Sequence, residues 1–410
     1  MRAGRRCPPA WRRRAIAAVV CIATALTVSA ATASAAGPPR LGVHAAALIE
    51  ETTGQPLYGV NAGTEVAIAS TTKLMTALVT LHHARLGDMF TDPNYYPASE
   101  DSQIGLRPGE RMSVHDLLIA MLLPSADDAA EDLAYNVGHG SVARFVAMMN
   151  ARARELHLTH THYTTPIGLD TPGNYSSAQD LVALARYDVR SQPFLRTVVG
   201  KRGAVLRTGD HVRAVTNLND LVGRYWWVNG VKTGHTLEAG YVLVASGTRD
   251  GMTLIGAVLG TSSEAGRDAA ALALLDYGFA NFRLQTPVHR GELLARPLVK
   301  GEKDARARLV AASTYTHVFP RSAGVRVRVR APAELAGPLP AHTVVGSAVV
   351  TAGGRVLARI PLELAQALPK IPTQQTPKSD VVLSATLSGL VLAAAAAIGL
   401  KMFWRGSTRG

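Results

Sequence analysis

The run HAAALIE (44–50) is apolar between His44 and Glu50, and Thr53-Gly54-Gln55 follows as a turn into PLYGV, so a strand is expected here. STTKLMTALVTLHHA (70–84) carries its apolar residues at helical spacing. Ser113-x-x-Asp116 is a capping-box-like start for LLIAMLL, and Pro124 stops that helix. Ser177-x-x-Asp180 opens another, through about Asp188. YVLVASGT and MTLIGAVLG then flank Arg249-Asp250-Gly251, the pattern of an antiparallel hairpin, and an amphipathic helix is expected from Glu264 to Phe279. Together these elements predict one mixed α/β domain of α+β type over 40–283, an antiparallel sheet with helices packed on it. From 284 to 370 the pattern changes to short alternating runs cut by Gly and Pro, such as GVRVRVRAP and TVVGSAVV, which predict a small all-β domain. IPTQQTPKSD (371–380) reads as a polar linker.

Two stretches fit neither domain. Residues 1–14 hold six arginines and no acid, followed by AIAAVVCIATALTVSA (15–30) and a small-residue site at Ala33-Ser34-Ala35, the layout of a secretory signal peptide over 1–35. A retained anchor is the alternative, but the apolar run falls short of the ~20 residues a span needs. VVLSATLSGLVLAAAAAIGL (381–400) is 20 residues without a charge, ~30 Å as a helix, and reads as one transmembrane helix. Lys401, Arg405 and Arg409 follow it, so the tail 401–410 is expected in the cytoplasm and the body outside, anchored in the cell membrane.

This placement changes the reading of the charge. The 410 residues carry 43 Lys and Arg against 30 Asp and Glu, a formal +13, which would suggest a nucleic-acid partner. Without residues 1–35 the balance is +7, and without the three basic tail residues +4, so no nucleic acid is called for. Cys7 and Cys21 both lie in the leader, and disulfides and thiol catalysis drop out with it.

Four short motifs could carry chemistry. Ser70-Thr71-Thr72-Lys73 opens a helix, where side chains three apart share a face, and a desolvated lysine can take the proton of a serine hydroxyl. Ser125-Ala126-Asp127 follows the stop at Pro124. Lys232-Thr233-Gly234, before His235, places a cation, a hydroxyl and a side-chain-free residue on an expected sheet edge, where an anionic peptide end could lie. Arg267, on the last helix, is a candidate partner for a carboxylate. Each alone is a weak signal.

In order and with their flanks, AIASTTKLMTAL, LLPSADDAAEDLA, FVAMMNARARELHLTHTHYTTPIGLD and GVKTGHTLEAGYVLVASGTRDG closely resemble the low-molecular-mass D-alanyl-D-alanine carboxypeptidases, serine peptidase family S11. The resemblance covers about 40–283 and continues more faintly to 370. It implies the penicillin-binding, serine β-lactamase-like transpeptidase fold and an exported enzyme without a cofactor that trims peptidoglycan stem peptides and is acylated by β-lactams. It implies Ser70 as nucleophile, Lys73 as its base and Ser125 as a proton relay. Lys232, Thr233 and Arg267 would hold the terminal carboxylate, and the backbone N–H groups of Ser70 and His235 would form the oxyanion hole. The family usually has Asn where this chain has Asp127. An ionised carboxylate accepts only, so Asp127 could pair with Lys73 or Lys232 and raise that lysine's pKa, or sit protonated and donate. A β-lactamase of the same superfamily is the alternative, without an E-x-x-L-N loop in 140–180 to support it, and a catalytically impaired peptidoglycan-binding protein is another.

Other candidates have plainer readings. His157, His160 and His162 lack a carboxylate or fourth ligand at zinc spacing, so no metal is expected. Asp127-Asp128 with Glu131-Asp132 reads as an acidic first helical turn rather than a calcium loop. GVRVRVR reads as a strand with a solvated face, and Trp226-Trp227 as core.

Overall fold

The computed structural model describes residues 37–98 and 101–370. The leader 1–35, the linker 371–380, the apolar segment 381–400 and the tail 401–410 lie outside the described residues, and no described helix is long and apolar enough to cross a membrane.

Numbered in chain order, β1 (Ala45–Glu50), β2 (Pro56–Val60), β3 (Val228–Thr236), β4 (Gly240–Arg249) and β5 (Met252–Thr261) form an antiparallel sheet in the order β2-β1-β5-β4-β3. Its central strands are apolar without alternation because both faces are covered. Ala45, Ala47, Val242, Val244, Ile255 and Ala257 join one core, while Ala46, Leu48, Leu243, Ala245 and Leu254 join the other. The hairpin closes with Arg249 opposite Met252, and Asp250 and Gly251 take φ of 49° and 74°, as a two-residue turn of primed type requires.

The larger core lies under α1 (Lys73–His83), α2 (Val114–Leu122), α3 (Asp127–Val137), α4 (Val142–Glu155), α5 (Ala178–Ser191) and α6 (Pro193–Val199). The smaller lies under α7 (Glu264–Asn281). Ser113, Ser177 and Ser263 accept from the backbone N–H three residues on at the starts of α2, α5 and α7, satisfying a donor each helix would otherwise orphan. Gly256 and Gly278 leave room for close packing, since a Cβ on Gly278 would lie 2.4 Å from Leu254 Cδ1.

Residues beyond α7 build a second sheet from β6 (Leu293–Ala295), β7 (Leu309–Ala311), β8 (Val325–Arg330), β9 (Val344–Ala352) and β10 (Arg355–Leu364), in the order β6-β7-β10-β9-β8. It has its own core of Leu309, Ala348, Val350, Ile360 and Leu362.

Candidate active site

The chain turns sharply before α1. Ala69 takes φ of 47°, and Ala69–Thr72 form a 3-10 turn that feeds directly into the helix. Ser70 and Lys73 therefore face the same side, with Lys73 Nζ 2.8 Å from Ser70 Oγ. The ammonium is fully buried, and its other contacts are Asp127 Oδ1 at 2.5 Å and the carbonyl oxygen of Ile167 at 2.6 Å.

The second motif stands on the turn between α2 and α3. Ser125 takes φ of 67°, and the Ala126 N–H reaches back to the Ala120 carbonyl, so the serine is held at the bend. Its Oγ lies 2.9 Å from Lys232 Nζ, which also donates to the Thr233 carbonyl at 3.0 Å. Lys232, Thr233 and Gly234 are on β3, an edge of the sheet, and a Cβ on Gly234 would sit 2.9 Å from the Ser70 nitrogen and from Ala69 Cβ. Only a residue without a side chain lets the strand approach Ser70 this closely. His235 is exposed, and its ring stacks on Tyr241.

Charge is concentrated here. Burial lowers the pKa of Lys73 below the usual lysine range, with Asp127 pulling the other way, and burial raises Asp127. The sequence expectation that Asp127 would raise the pKa of a paired lysine thus describes one contribution only: desolvation outweighs it. Lys232 is pushed well below the ordinary range, first by burial, then by the charges of Lys73 and Arg267. Glu131, one turn after Asp127 on α3, is raised to about 7 by burial and by Asp127. A neutral Lys73 amine has two N–H groups for its two oxygen acceptors and a lone pair left for the Ser70 hydroxyl.

Arg267 is buried at the start of α7, but its guanidinium is already engaged by its own helix. Nη2 lies 3.0 Å from Glu264 Oε1 and 2.8 Å from Asp268 Oδ1. The carboxylates that the structure places at Arg267 are thus those of its own helix, and any further one would share this arginine with two resident acids.

The stretch 166–170 enters the sequence reading only as part of the resemblance, and its contacts with the site were not foreseen. The Pro166 carbonyl accepts from Thr76 and the Ile167 carbonyl from Lys73. Gly168, at φ of 92°, lies against the Ala69 carbonyl so closely that a Cβ would be 2.1 Å away. Asp170 Oδ2 accepts the Glu238 N–H at 3.1 Å, beyond the end of β3. The glycine is the one visible signal; main-chain acceptors leave none.

The remaining motifs have separate roles. Asp128 accepts from the backbone of Ile104 and Leu106. His162 Nδ1 donates to the Gly173 carbonyl and His160 lies 3.6 Å from Glu65, so the two histidines have separate partners. Trp227 is core as expected, whereas Trp226 is 87% exposed: the side chains of neighbouring residues point to opposite sides here, and only one can face α7.

Residues 31–263 match the peptidase S11 family of D-alanyl-D-alanine carboxypeptidases. The chain belongs to this family. It is 35% identical over 291 residues to the D-alanyl-D-alanine carboxypeptidase of Streptomyces sp. K15, covering 65% of this chain and 99% of that protein. It is 33% identical over 263 residues to D-alanyl-D-alanine carboxypeptidase DacF of Bacillus subtilis, covering 63% of this chain and 67% of that one. Among solved structures, penicillin-binding protein 5 of Haemophilus influenzae superposes with a TM-score of 0.65 at 28% identity, over 82% of this chain and all of that one. The Streptomyces K15 DD-transpeptidase gives 0.57 at 34%, over 60% and 100%. These S11 relatives share the α/β architecture described above.

Proposed function

We propose that the protein is a serine D-Ala-D-Ala carboxypeptidase that removes the last D-alanine from peptidoglycan stem peptides, and that β-lactams acylate the same serine. The observation that carries this reading is the buried Lys73, 2.8 Å from Ser70 Oγ with its other contacts both acceptors. Lys73 takes the Ser70 proton as Ser70 Oγ attacks the carbonyl of the penultimate D-alanine. The oxygen that becomes negative is met by the backbone N–H groups of Ser70 and His235. Collapse breaks the C–N bond, and the proton held on Lys73 passes through Ser125 to the departing amine. Water then attacks the acyl-enzyme, again with Lys73 as base, and frees the shortened stem. Lys232, Thr233 and Arg267 hold the terminal carboxylate, and Gly234 leaves space for the peptide along β3.

In this reading residues 1–35 are a cleaved signal peptide, 40–283 the catalytic unit, 284–370 a β-rich unit that holds it above the membrane, 371–380 the linker, and 381–400 the anchor before a cytoplasmic tail. Mass spectrometry of a defined pentapeptide after incubation with the enzyme should show loss of one D-alanine. Ser70→Ala should lower the rate by at least about 10³, and an untouched pentapeptide with the unmodified enzyme overturns the reading. A labelled penicillin should leave a lasting Ser70 adduct; rapid release would indicate a β-lactamase instead.

A further inference from the structure

The positive charge of the body is not spread over it. Residues 36–283 carry 20 Lys and Arg against 24 Asp and Glu, whereas residues 284–370 carry 13 against five. The second unit is therefore a cationic module joined to a mildly acidic catalytic one.

Part of that charge is organised on one face. Arg326, Arg328 and Arg330 alternate along β8 with Val325 and Val329, which pack on the core, and with the more exposed Val327, so the three arginines project together at ~7 Å intervals. Register extends the row inward: Arg328 lies opposite Val349 on β9, and Val349 opposite Arg359 on β10. Residues paired in this way share a face. All four arginines are exposed, and among the described residues no carboxylate lies within 4 Å of any of their guanidinium groups. Glu363 shares the face at the far end of β10, where it meets His342 at 3.1 Å.

Protection of a sheet edge explains charges on β8, which is the last strand. It does not explain Arg359, because β10 is flanked by β7 and β9. Val349 points the same way. It is 3% exposed yet belongs to none of the cores, as expected when long arginine stems cover it. At one end of the face the β9–β10 hairpin presents Arg355 with Val356 and Leu357, which are 52% and 40% exposed. Cations beside exposed aliphatic side chains suit a surface with phosphates outside and hydrocarbon beneath.

We propose that this face of the second sheet docks on the anionic phospholipid surface of the membrane, with Arg326, Arg328, Arg330 and Arg359 meeting headgroup phosphates. The chain supplies the proximity. Only residues 371–380 separate this unit from the apolar segment 381–400, and ten residues reach at most ~36 Å. Docking would hold the catalytic unit at a set orientation to the bilayer instead of leaving it on a loose tether. The proposal rests on the reading of 381–400 as a membrane anchor; the peptidase reading enters only the activity control of the test.

The test uses the full chain in lipid nanodiscs of phosphatidylcholine alone or with one third phosphatidylglycerol, and phenylglyoxal labelling of arginines read by mass spectrometry. An arginine near an anionic surface gains a factor of about five in affinity. Labelling of the four arginines should fall about tenfold in the anionic discs and recover in ~1 M salt, with Arg144 and Arg196 unchanged. Amide exchange over 355–359 should slow in the same discs. A variant with all four arginines replaced by serine should keep its release of D-alanine from a soluble pentapeptide and lose that slowing. Equal labelling in the two discs, or no association with either, overturns the proposal. Protection by soluble poly(glycerol phosphate) without protection by the anionic discs also overturns it, assigning the face to a dissolved polyanion.

Discussion

Asp127 accepts from Lys73 at 2.5 Å while burial drives the pair toward its uncharged form, so the carboxylate and the buried site act in opposite directions on the proposed base. The carboxylate favours the ammonium, and removing it lowers the lysine's pKa. Asp127→Asn should therefore shift the acid limb of kcat/KM to lower pH, by about one unit; an unchanged profile would remove any special role for the acid. A second residue tests burial without catalysis. Both carboxylate oxygens of Asp188 on α5 are buried without a partner, and its pKa is raised well above the usual range. The folded form keeps the proton that the unfolded chain releases above ~3.9. Stability from this group is thus complete below that pH and lost as pH rises toward the folded value. Asp188→Asn should raise Tm at pH 7 by about 3 °C and converge with the parent near pH 3. The meeting of Ser70 with Lys73, and of Ser125 with Lys232, was legible because each is a side chain whose chemistry sets its spacing. The Ile167 carbonyl was not, since any residue supplies one, and neither was the pairing of Arg267 with Glu264 and Asp268.

The helix starts were readable for a similar reason. A serine before an acidic first turn at Ser113 and Ser177 encodes a local hydrogen bond that needs no tertiary context, and Ser263, not singled out in the sequence, caps α7 in the same way. The turn of Ala69–Thr72 before α1 was not readable, because Ala69 holds φ of 47° through its surroundings, not its composition. Nor was the closeness of β3 to that turn, for which the sequence shows only a glycine. Gly234→Ala would put a Cβ 2.9 Å from the Ser70 nitrogen and push β3 outward. Penicillin acylation should fall by about 10²-fold while Tm moves little, because the displacement falls on a strand edge; an acylation rate near the parent's would mean that the strand already stands farther away.

At the scale of the whole molecule the α+β body and the strands beyond it were legible, whereas the basic leader, the linker and the apolar segment are expectations that lie outside the described residues. If residues 1–35 are removed, N-terminal sequencing of protein extracted from membranes should begin at Ala36; an intact Met1 would mean that the leader is retained. The division of charge between the two units was hidden in the total, since an acidic body offsets about half the charge of a basic module. Loop 166–170 sets a different kind of limit on the assembled molecule. The same few residues hold Lys73, wedge the turn at Ala69 and clasp the backbone beyond β3. The proposed base, the bend that carries Ser70 and the strand of Lys232 therefore share one fastening. Loosening it would disturb all three together, so a lesion in the loop could not be traced to any one of them alone.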